Sequence, residues 1–392
     1  MALIDSSVRD DFFGLQEKVF FNNAANAPLL KSVRAAIETY LQEIVDLRDG
    51  FAQGSQRLEE LRRNCGKLIN ADPAQIGFTT NTSTGLNLAV SGLDWQEGDE
   101  VIIADNEFPA VVYPFRELER RGVKIIMAPT DNDDFSESEV AKLVTDHTRL
   151  LAVSFVQYFN GYRNDLPALG KLCRERDIFF AVDGIQGVGA SPLDVEKCQI
   201  DLLACGGQKW LLSLPGCGFC YLSKRAMSML EPVHTGWMGI DWSGNFTNLR
   251  DFTRQPLADA RRYSLGTYPF LHLWALEAGT RYLSQRGVEK IFAHNLALLD
   301  PLLEYLAGSD FYVLRSPTAA EHRSSFISVG SPSGIDLQNH LLSKGFVTAF
   351  REGGVRISVN FYNTEAEIGA SENNRAIAIA PRILAHFICF SL

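Results

Sequence analysis

Three polar segments of the sequence follow short apolar runs, and their residue types could bind and activate a small molecule. Thr82 and Ser83 follow the run IGFTT and precede an apolar helical pattern. The first N–H groups of a helix lack partners and lie at the positive end of its dipole, so with two added hydroxyls they would bind an anion, most simply a phosphate. An ordinary helix cap is the alternative.

An aspartate and a lysine close two further apolar runs. Asp183 ends DIFFAVD, where a buried carboxylate needs a partner, and Gln186 follows three residues later. Backbone N–H groups of the next turn are the alternative partners of Asp183. Lys209 follows IDLLACGG beside Trp210, and apolar surroundings would lower the pKa of its amine and make it a nucleophile. A solvated loop lysine is the alternative.

The apolar runs alternate with helical segments, which is typical of an α/β protein with a parallel sheet buried on both faces. In such sheets the ligand-binding groups gather at the carboxyl ends of the strands, where these polar residues lie. The predicted strands contain IGFTT, EVIIAD, VKIIMAP, RLLAVSFV, DIFFAVDG and IDLLACGG, with helices predicted over residues 31–48 and 56–69.

Length and pattern predict two domains. Residues 16–260 would form a large α/β domain, and residues 261–392 together with 1–15 would form a smaller C-terminal α+β domain. The smaller domain has fewer strands, such as SSFISVG and VRISVN, among long helical stretches. After Ile368 the helical periodicity is weak, and Pro381 interrupts it.

Composition excludes several classes of protein. A chain of 392 residues with 46% hydrophobic and 21% charged residues can bury a core, and its net charge of −10 argues against nucleic-acid binding. The apolar runs are too short to span a membrane, and the first residues lack the pattern of a signal peptide. Seven scattered cysteines predict reduced thiols and a cytoplasmic location.

In their order Thr/Ser–Asp–Lys, these segments resemble the pyridoxal-phosphate enzymes of aminotransferase class V. This fold-type I group includes cysteine desulfurases, C–S lyases and isopenicillin-N-epimerase-like proteins. The resemblance runs from about Phe21 to about Ile368 and is strongest in AVDGIQ, GGQKW and VRISVNFYNTEAEI. It implies the PLP-transferase fold, with a mostly parallel seven-stranded sheet, and it implies pyridoxal 5′-phosphate as cofactor and an amino acid as substrate.

The resemblance assigns roles around this cofactor. Lys209 would hold it as a Schiff base, the internal aldimine, and would carry protons at the substrate Cα. Asp183 would pair with the pyridine nitrogen, an interaction worth about 4 kcal/mol at 4 Å and an effective dielectric of 20, and would keep the ring an electron sink. Gln186 would donate to the phenolic oxygen. Thr82 and Ser83 would hold the phosphate.

Further residues are implied at the substrate and at a subunit interface. Arg356 matches the arginine that clamps the substrate α-carboxylate, a task suited to a planar bidentate donor. Asn26 and Gln157 would also contact the substrate. Gly266 and Thr267 match a segment that reaches the phosphate of the neighbouring subunit, which implies a homodimer with shared sites. The alternatives are an edge-strand arginine for Arg356 and a plain turn for Thr267.

The sequence departs from the family pattern at several positions. Phe108 replaces a histidine that stacks on the cofactor, and phenylalanine can stack but cannot move a proton. Gln208 replaces the histidine before the lysine, yet it could still donate to the phosphate. The segment LLSKGFVTAFREGG before Arg356 lacks the persulfide-forming cysteine of a desulfurase. Tyr158 occupies the place of a substrate-facing asparagine.

Transamination is the favoured reaction, because Lys209 alone is expected to act as the acid and base that transfers protons. β-Elimination and epimerisation are the alternatives, since they begin with the same deprotonation at Cα. A non-catalytic relative is a further alternative, although the retained Lys209 and Asp183 argue against it. A nucleotide-binding dehydrogenase would need a glycine fingerprint that is absent. Cys217 and Cys220 are predicted to lie in a core strand and not at a metal.

Overall fold

The computed structural model describes residues 4–48, 50–130, 135–244, 247–309, 312–331 and 334–369. The strands are β1 (Val19–Phe20), β2 (Ile76–Thr79), β3 (Glu100–Ala104), β4 (Lys124–Ala128), β5 (Thr148–Ser154), β6 (Phe179–Asp183), β7 (Leu202–Gly206), β8 (Gly218–Leu222), β9 (Val313–Leu314), β10 (Phe326–Gly330), β11 (Phe346–Val347), β12 (Ala349–Arg351) and β13 (Gly354–Ser358). The helices are α1 (Lys31–Val45), α2 (Gly50–Ile69), α3 (Thr82–Gly92), α4 (Pro109–Arg116), α5 (Glu137–Leu143), α6 (Leu166–Glu175), α7 (Lys224–Met229), α8 (Phe270–Arg286), α9 (Val288–Ala307), α10 (Gly334–Ser343) and α11 (Glu365–Ile368). The predicted irregular tail after Ile368 lies almost wholly outside the described residues.

A seven-stranded sheet occupies the centre of the large α/β unit, in the order β2-β8-β7-β6-β5-β3-β4. The strands from β7 to β4 are mutually parallel, whereas β8 runs antiparallel to both of its neighbours. Two antiparallel pairings in succession make β2 parallel to β7, so the carboxyl end of β2 lies at the same edge. The α/β class and the mostly parallel seven-stranded sheet are therefore confirmed.

Alternate residues of each central strand pack on opposite faces of this sheet. In β6, Phe180 and Val182 belong to one apolar cluster, and Phe179 and Ala181 belong to the other. Helices α2, α6 and α8 cover the first face, and α3, α4 and α7 cover the second. Because both faces are covered, these strands are continuous apolar runs in the sequence.

A smaller antiparallel sheet has the order β12-β13-β10-β9. Val355 and Ile357 point to one face, where they pack with Leu298 of α9 and Leu341 of α10. The opposite face carries Arg356, which is paired across the sheet with Ser328 of β10 and Ala349 of β12. Arg356 therefore lies on the face opposite the apolar core of the small sheet.

The predicted domain boundaries stay a prediction. Phe12, in the N-terminal segment, packs against Tyr362, with ring centroids 4.6 Å apart and the ring planes tilted by 56°. Leu273 and Trp274 of α8 belong to the same apolar cluster as the first face of the large sheet. The N-terminal segment therefore contacts residues near the end of the described chain, and α8 packs on the large unit.

The cysteines of the described residues are free and buried. Cys220 lies in β8, and Cys217 immediately precedes it, in agreement with the predicted core strand. Cys389 lies outside the described residues. Within the described part of the chain, no helix combines the length and apolar character needed to cross a membrane.

Candidate active site

Asp183 ends β6 at the carboxyl edge of the large sheet and is almost fully buried. The backbone N–H of Ile185 donates to its Oδ1 at 2.8 Å. This is one of the hydrogen bonds from the next turn that the sequence offered as alternative partners of Asp183. Burial raises the pKa of Asp183 to about 6, against the opposing effects of the Ile185 hydrogen bond and the charge of Lys209. The pKa of Asp183 therefore stays above its ordinary value even with the cation of Lys209 nearby.

Lys209 lies in the turn after β7, the strand next to β6. Burial lowers the pKa of its amine to about 8, Asp183 raises it, and Arg356 lowers it further. Its Nζ lies 5.9 Å from the ring centroid of Phe108, which is the residue before α4. This agrees with the lowered amine pKa expected from the sequence, and an appreciable neutral fraction of a lysine makes it a usable nucleophile.

Gln186 links the lysine turn to the N-terminal segment. Its Oε1 accepts from the Trp210 indole N–H at 3.1 Å, and its Nε2 donates to the carbonyl of Ala24 at 3.0 Å. The backbone carbonyl of Gln208 accepts from the N–H of Ala27 at 2.9 Å. These bonds position the turn that carries Lys209, and the contacts of Gln186 and Gln208 with a cofactor stay predictions.

The start of α3 is tied to the end of β7. Asn81 is the cap, since its side chain accepts from the Thr84 N–H at 2.9 Å. Thr82 is buried, and its Oγ1 accepts from the Gly206 N–H at 3.2 Å, whereas Ser83 is half-buried. The helix N-terminus therefore stands at the same sheet edge as Lys209, and the role of both hydroxyls as phosphate ligands stays a prediction.

A buried carboxylate that sequence reasoning missed lies beside Phe108. Glu107 accepts from the N–H and Oγ of Ser154 at 2.6 and 2.5 Å, and from Nε2 of Gln157 at 2.7 Å. Burial raises the pKa of Glu107 to about 7, and the charge of Asp183 contributes in the same direction. A polar residue soon after a buried strand was the signal that identified Asp183, and it applies equally to Glu107 after β3.

This network determines where Gln157 lies. Its side chain is 1% exposed, and its amide donor is directed at Glu107. Gln157 is buried in the single chain, and its contact with a substrate stays a prediction. Tyr158, the next residue, packs its ring edge-on against Phe108, with centroids 5.1 Å apart.

Arg356 is a buried cation, and within the described part of the chain no carboxylate forms an ion pair with it. Its side chain is 2% exposed, and Nη1 donates to the backbone carbonyl of Tyr158 at 2.5 Å. Its Nε is buried without a hydrogen-bond partner in the described residues. Burial lowers the pKa of Arg356 to about 9, the charge of Arg351 lowers it further, and Tyr158 raises it. A guanidinium in this state favours the binding of an anionic ligand.

The remaining predicted residues lie at the surface of the single chain. Asn26 is exposed and directly precedes Ala27, which is bonded to the lysine turn. Thr267 is exposed and Gly266 is half-buried in the segment before α8. Their contacts with substrate and with a neighbouring subunit's phosphate stay predictions.

The donor set fits pyridoxal 5′-phosphate. Lys209 supplies an amine of lowered pKa, and Asp183 supplies a buried carboxylate beside it. The Phe108 ring supplies an aromatic face, and the N-terminus of α3 supplies N–H groups for an anion. The residues that would hold this cofactor therefore come together at one sheet edge.

Comparison with curated proteins shows two kinds of relative. The chain is 24% identical over 370 residues to an uncharacterized aminotransferase, YcbU of Bacillus subtilis. The aligned residues are 94% of this chain and 96% of that protein. It is 28% identical over 296 residues to a probable cysteine desulfurase of Pyrococcus abyssi. The aligned residues are 74% of this chain and 72% of that protein.

Solved structures share the fold. The apo cysteine desulfurase from Thermococcus onnurineus superposes with a TM-score of 0.84 at 23% identity, over 93% of this chain and 96% of that one. The cystine C–S lyase C-DES, in complex with cysteine persulfide, gives a TM-score of 0.82 at 22% identity, over 91% and 97%. The predicted PLP-transferase fold type I is thereby confirmed.

The family model for Aminotransferase class-V matches residues 19–370, close to the range expected from the sequence. Pyridoxal 5′-phosphate is the cofactor of this group, as predicted. The chain belongs to the Aminotransferase class-V family.

Proposed function

We propose that this enzyme transaminates an amino acid and that Lys209 both holds the cofactor and carries the proton at the substrate Cα. The choice of reaction rests on the side chain of Phe108, which lies beside the Lys209 amine. The ring of Phe108 stands 5.9 Å from the Lys209 Nζ, and a phenyl ring cannot take or give a proton. One amine that removes a proton and returns it at a neighbouring atom is sufficient for transamination.

When bound, pyridoxal phosphate supplies an electron sink for the carbanion at Cα. Asp183 would hold the ring nitrogen in its protonated form, because a buried carboxylate favours a cationic partner. Arg356 would fix the substrate α-carboxylate through its free guanidinium donors. These two anchors would orient the Cα–H bond toward the Lys209 amine.

A desulfurase reaction through a persulfide is disfavoured by the hairpin before Arg356. β12 and β13 are joined by Glu352 and Gly353, both with positive φ, of 45° and 80°. This tight turn contains no cysteine, and no cysteine lies elsewhere in residues 344–356. The chain therefore offers no thiol in this segment to receive sulfur.

β-Elimination or epimerisation is the second candidate. It is favoured by the resemblance to a probable cysteine desulfurase and by the shared fold of the cystine C–S lyase. Tyr158 also places a phenol near Phe108, and its hydroxyl donates to Glu352 at 3.0 Å. Burial raises the pKa of Tyr158 to about 12, so the phenol stays protonated at neutral pH.

The test is an absorbance scan of the holoenzyme with a panel of amino acids and no keto acid. Transamination predicts stable conversion to the pyridoxamine spectrum and one equivalent of keto acid per site. Recovery of the original spectrum with release of pyruvate, ammonia or sulfide would establish the lyase instead. Recovery with inverted amino acid would establish the epimerase. The Lys209→Ala variant is the control, because it lacks the proton carrier.

A homodimer with shared sites belongs to the same proposal. Thr267 is exposed beside Leu265, which is 52% exposed, and a second copy would cover this segment. Analytical ultracentrifugation of wild-type protein tests the dimer. Mixing Lys209→Ala with Thr267→Ala subunits then tests whether one complete site forms per mixed dimer. A cytoplasmic location likewise stays a proposal.

A further inference from the structure

We propose that the substrate is an amino acid with an anionic side chain, of the aspartate or glutamate type, and that Arg351 binds this second anion. The inference deepens the proposed function and relies on it for the contact between Arg356 and the α-carboxylate. It rests on the arrangement of two arginines on one face of the small sheet.

The register of the β12–β13 hairpin places both arginines on the same face. Ala349 pairs with Arg356, and Arg351 pairs with Gly354. Residues two apart in a strand share a face, so Arg351 and Arg356 are diagonal neighbours. Diagonal positions lie about 7–8 Å apart, within the combined reach of two long side chains. Gly354, directly opposite Arg351, has no side chain.

This face is turned toward the large sheet and not toward the apolar core of the small unit. Val355 and Ile357, on the opposite face, pack with α9 and α10. Arg356 bonds the carbonyl of Tyr158, whose ring contacts Phe108, and Phe108 lies against the Lys209 amine. The arginine face and the lysine therefore border the same space.

Two cations of this space, Arg351 and Arg356, repel each other and the Lys209 amine. Arg351 and Arg356 both lower the pKa of Lys209, and Arg351 lowers that of Arg356. Arg351 donates to the backbone carbonyl of Phe350, and Arg356 donates to that of Tyr158. Within the described part of the chain, neither forms an ion pair. The nearby carboxylate of Glu352 is instead bonded to the Tyr158 hydroxyl.

Two anionic groups on one ligand would give each arginine a charged partner. The α-carboxylate takes one guanidinium, and a side-chain carboxylate attached to Cβ or Cγ takes the other. A neutral substrate would leave Arg351 unpaired beside Arg356. Arg351 is exposed at an edge strand, so it can move to meet the second carboxylate. Acidic amino acids are therefore favoured over neutral ones of the same length.

The first test measures binding without chemistry. Succinate and butyrate lack an amino group, so they bind without reacting and differ by one carboxylate. Calorimetry on the holoenzyme should show at least tenfold tighter binding of succinate. Arg351→Gln should weaken succinate tenfold to a hundredfold and leave butyrate unchanged, and Arg351→Lys should recover part of the loss. Arg120→Gln, on a side chain 80% exposed and paired with Glu117, is the matched control and should change neither.

Kinetics provide the second test. In Arg351→Gln, kcat/KM for aspartate or glutamate should fall tenfold to a hundredfold, whereas kcat/KM for alanine should change less than twofold. Equal affinity for succinate and butyrate, or succinate binding unaffected by Arg351→Gln, would overturn the inference. The proposed function fails separately, when no amino acid alters the cofactor spectrum, because the succinate titration requires no turnover.

Discussion

The carboxylate of Asp183 and the amine of Lys209 lie at the ends of adjacent parallel strands, and each stabilises the charged form of the other. Burial acts against both charges, which brings the pKa of Asp183 up to about 6 and that of Lys209 down to about 8. The pair is therefore ionised in a narrow window near neutral pH. A modest rise in pH releases the neutral amine that attacks a carbonyl.

This relationship predicts how apo protein captures pyridoxal phosphate. The neutral fraction of Lys209 increases about tenfold per pH unit below its pKa and then becomes constant. The rate of capture, followed by stopped-flow absorbance, should rise about tenfold from pH 6 to 7 and level off above about pH 8. A rate that keeps rising to pH 10 would contradict the lowered pKa. The Lys209→Ala variant should retain its fold by circular dichroism and yield no cofactor fixed by borohydride.

Arg356 should control substrate affinity and not cofactor affinity. Hydrogen bonds to a charged partner are worth about 1.5–3 kcal/mol, so Arg356→Gln should raise KM for the amino acid roughly tenfold to a hundredfold. Arg356→Lys keeps the charge but loses the planar fork, and its KM should lie between the two. The absorbance of the bound cofactor should be unchanged in both variants. An unchanged KM would place the carboxylate clamp elsewhere.

Glu107 should make stability fall as pH rises. Its pKa is raised from 4.5 to about 7, so between these values the folded chain keeps a proton that the unfolded chain has lost. In Glu107→Gln the Oε1 still accepts from Ser154 and Gln157, and the titration is gone. Relative to wild type, the unfolding free energy of the variant should improve by about 2–3 kcal/mol from pH 5 to pH 8.

Denaturant unfolding of the apo protein at both pH values measures this difference. Glu119→Gln is the control, because that carboxylate is about half exposed and pairs with Arg116 at the surface. The control should follow the wild-type curve. Parallel curves for wild type and Glu107→Gln would show that the buried carboxylate does not titrate in this range.

The close packing of α3 on β7 should matter for both stability and cofactor binding. A Cβ on Gly85 would lie 2.6 Å from the Cβ of Ala204, so Gly85→Ala must displace the helix whose N-terminus begins at Thr82. We expect a loss of about 1–3 kcal/mol in unfolding free energy and weaker binding of pyridoxal phosphate. Adding Ala204→Gly removes the opposing atom and should recover most of both.

The single variant Ala204→Gly completes this cycle and should itself lose only about 0.5–1 kcal/mol. A double variant no better than Gly85→Ala alone would show that the clash is relieved in another way. Melting temperature and cofactor affinity, measured on all four proteins, separate the two outcomes.

Much of the site was predictable from local pattern. Asp183 and Lys209 stand where apolar runs end, and parallel strands bring such ends to one edge whatever their distance along the chain. The alternation of buried strands and helices likewise identified the large sheet, because its strands are apolar on both faces. Glu107 obeys the same rule after β3, although Phe108 beside it is the more conspicuous residue of that segment.

The sequence by itself determined the fold class and the position of the lysine, since periodicity and the ends of apolar runs are local properties of the chain. Only the tertiary structure decided which distant side chains meet. Gln157 faces Glu107 because β5 lies beside β3, and Arg351 joins Arg356 because the hairpin register puts both on one face. Strand order and register arise from long-range packing, which no local pattern contains.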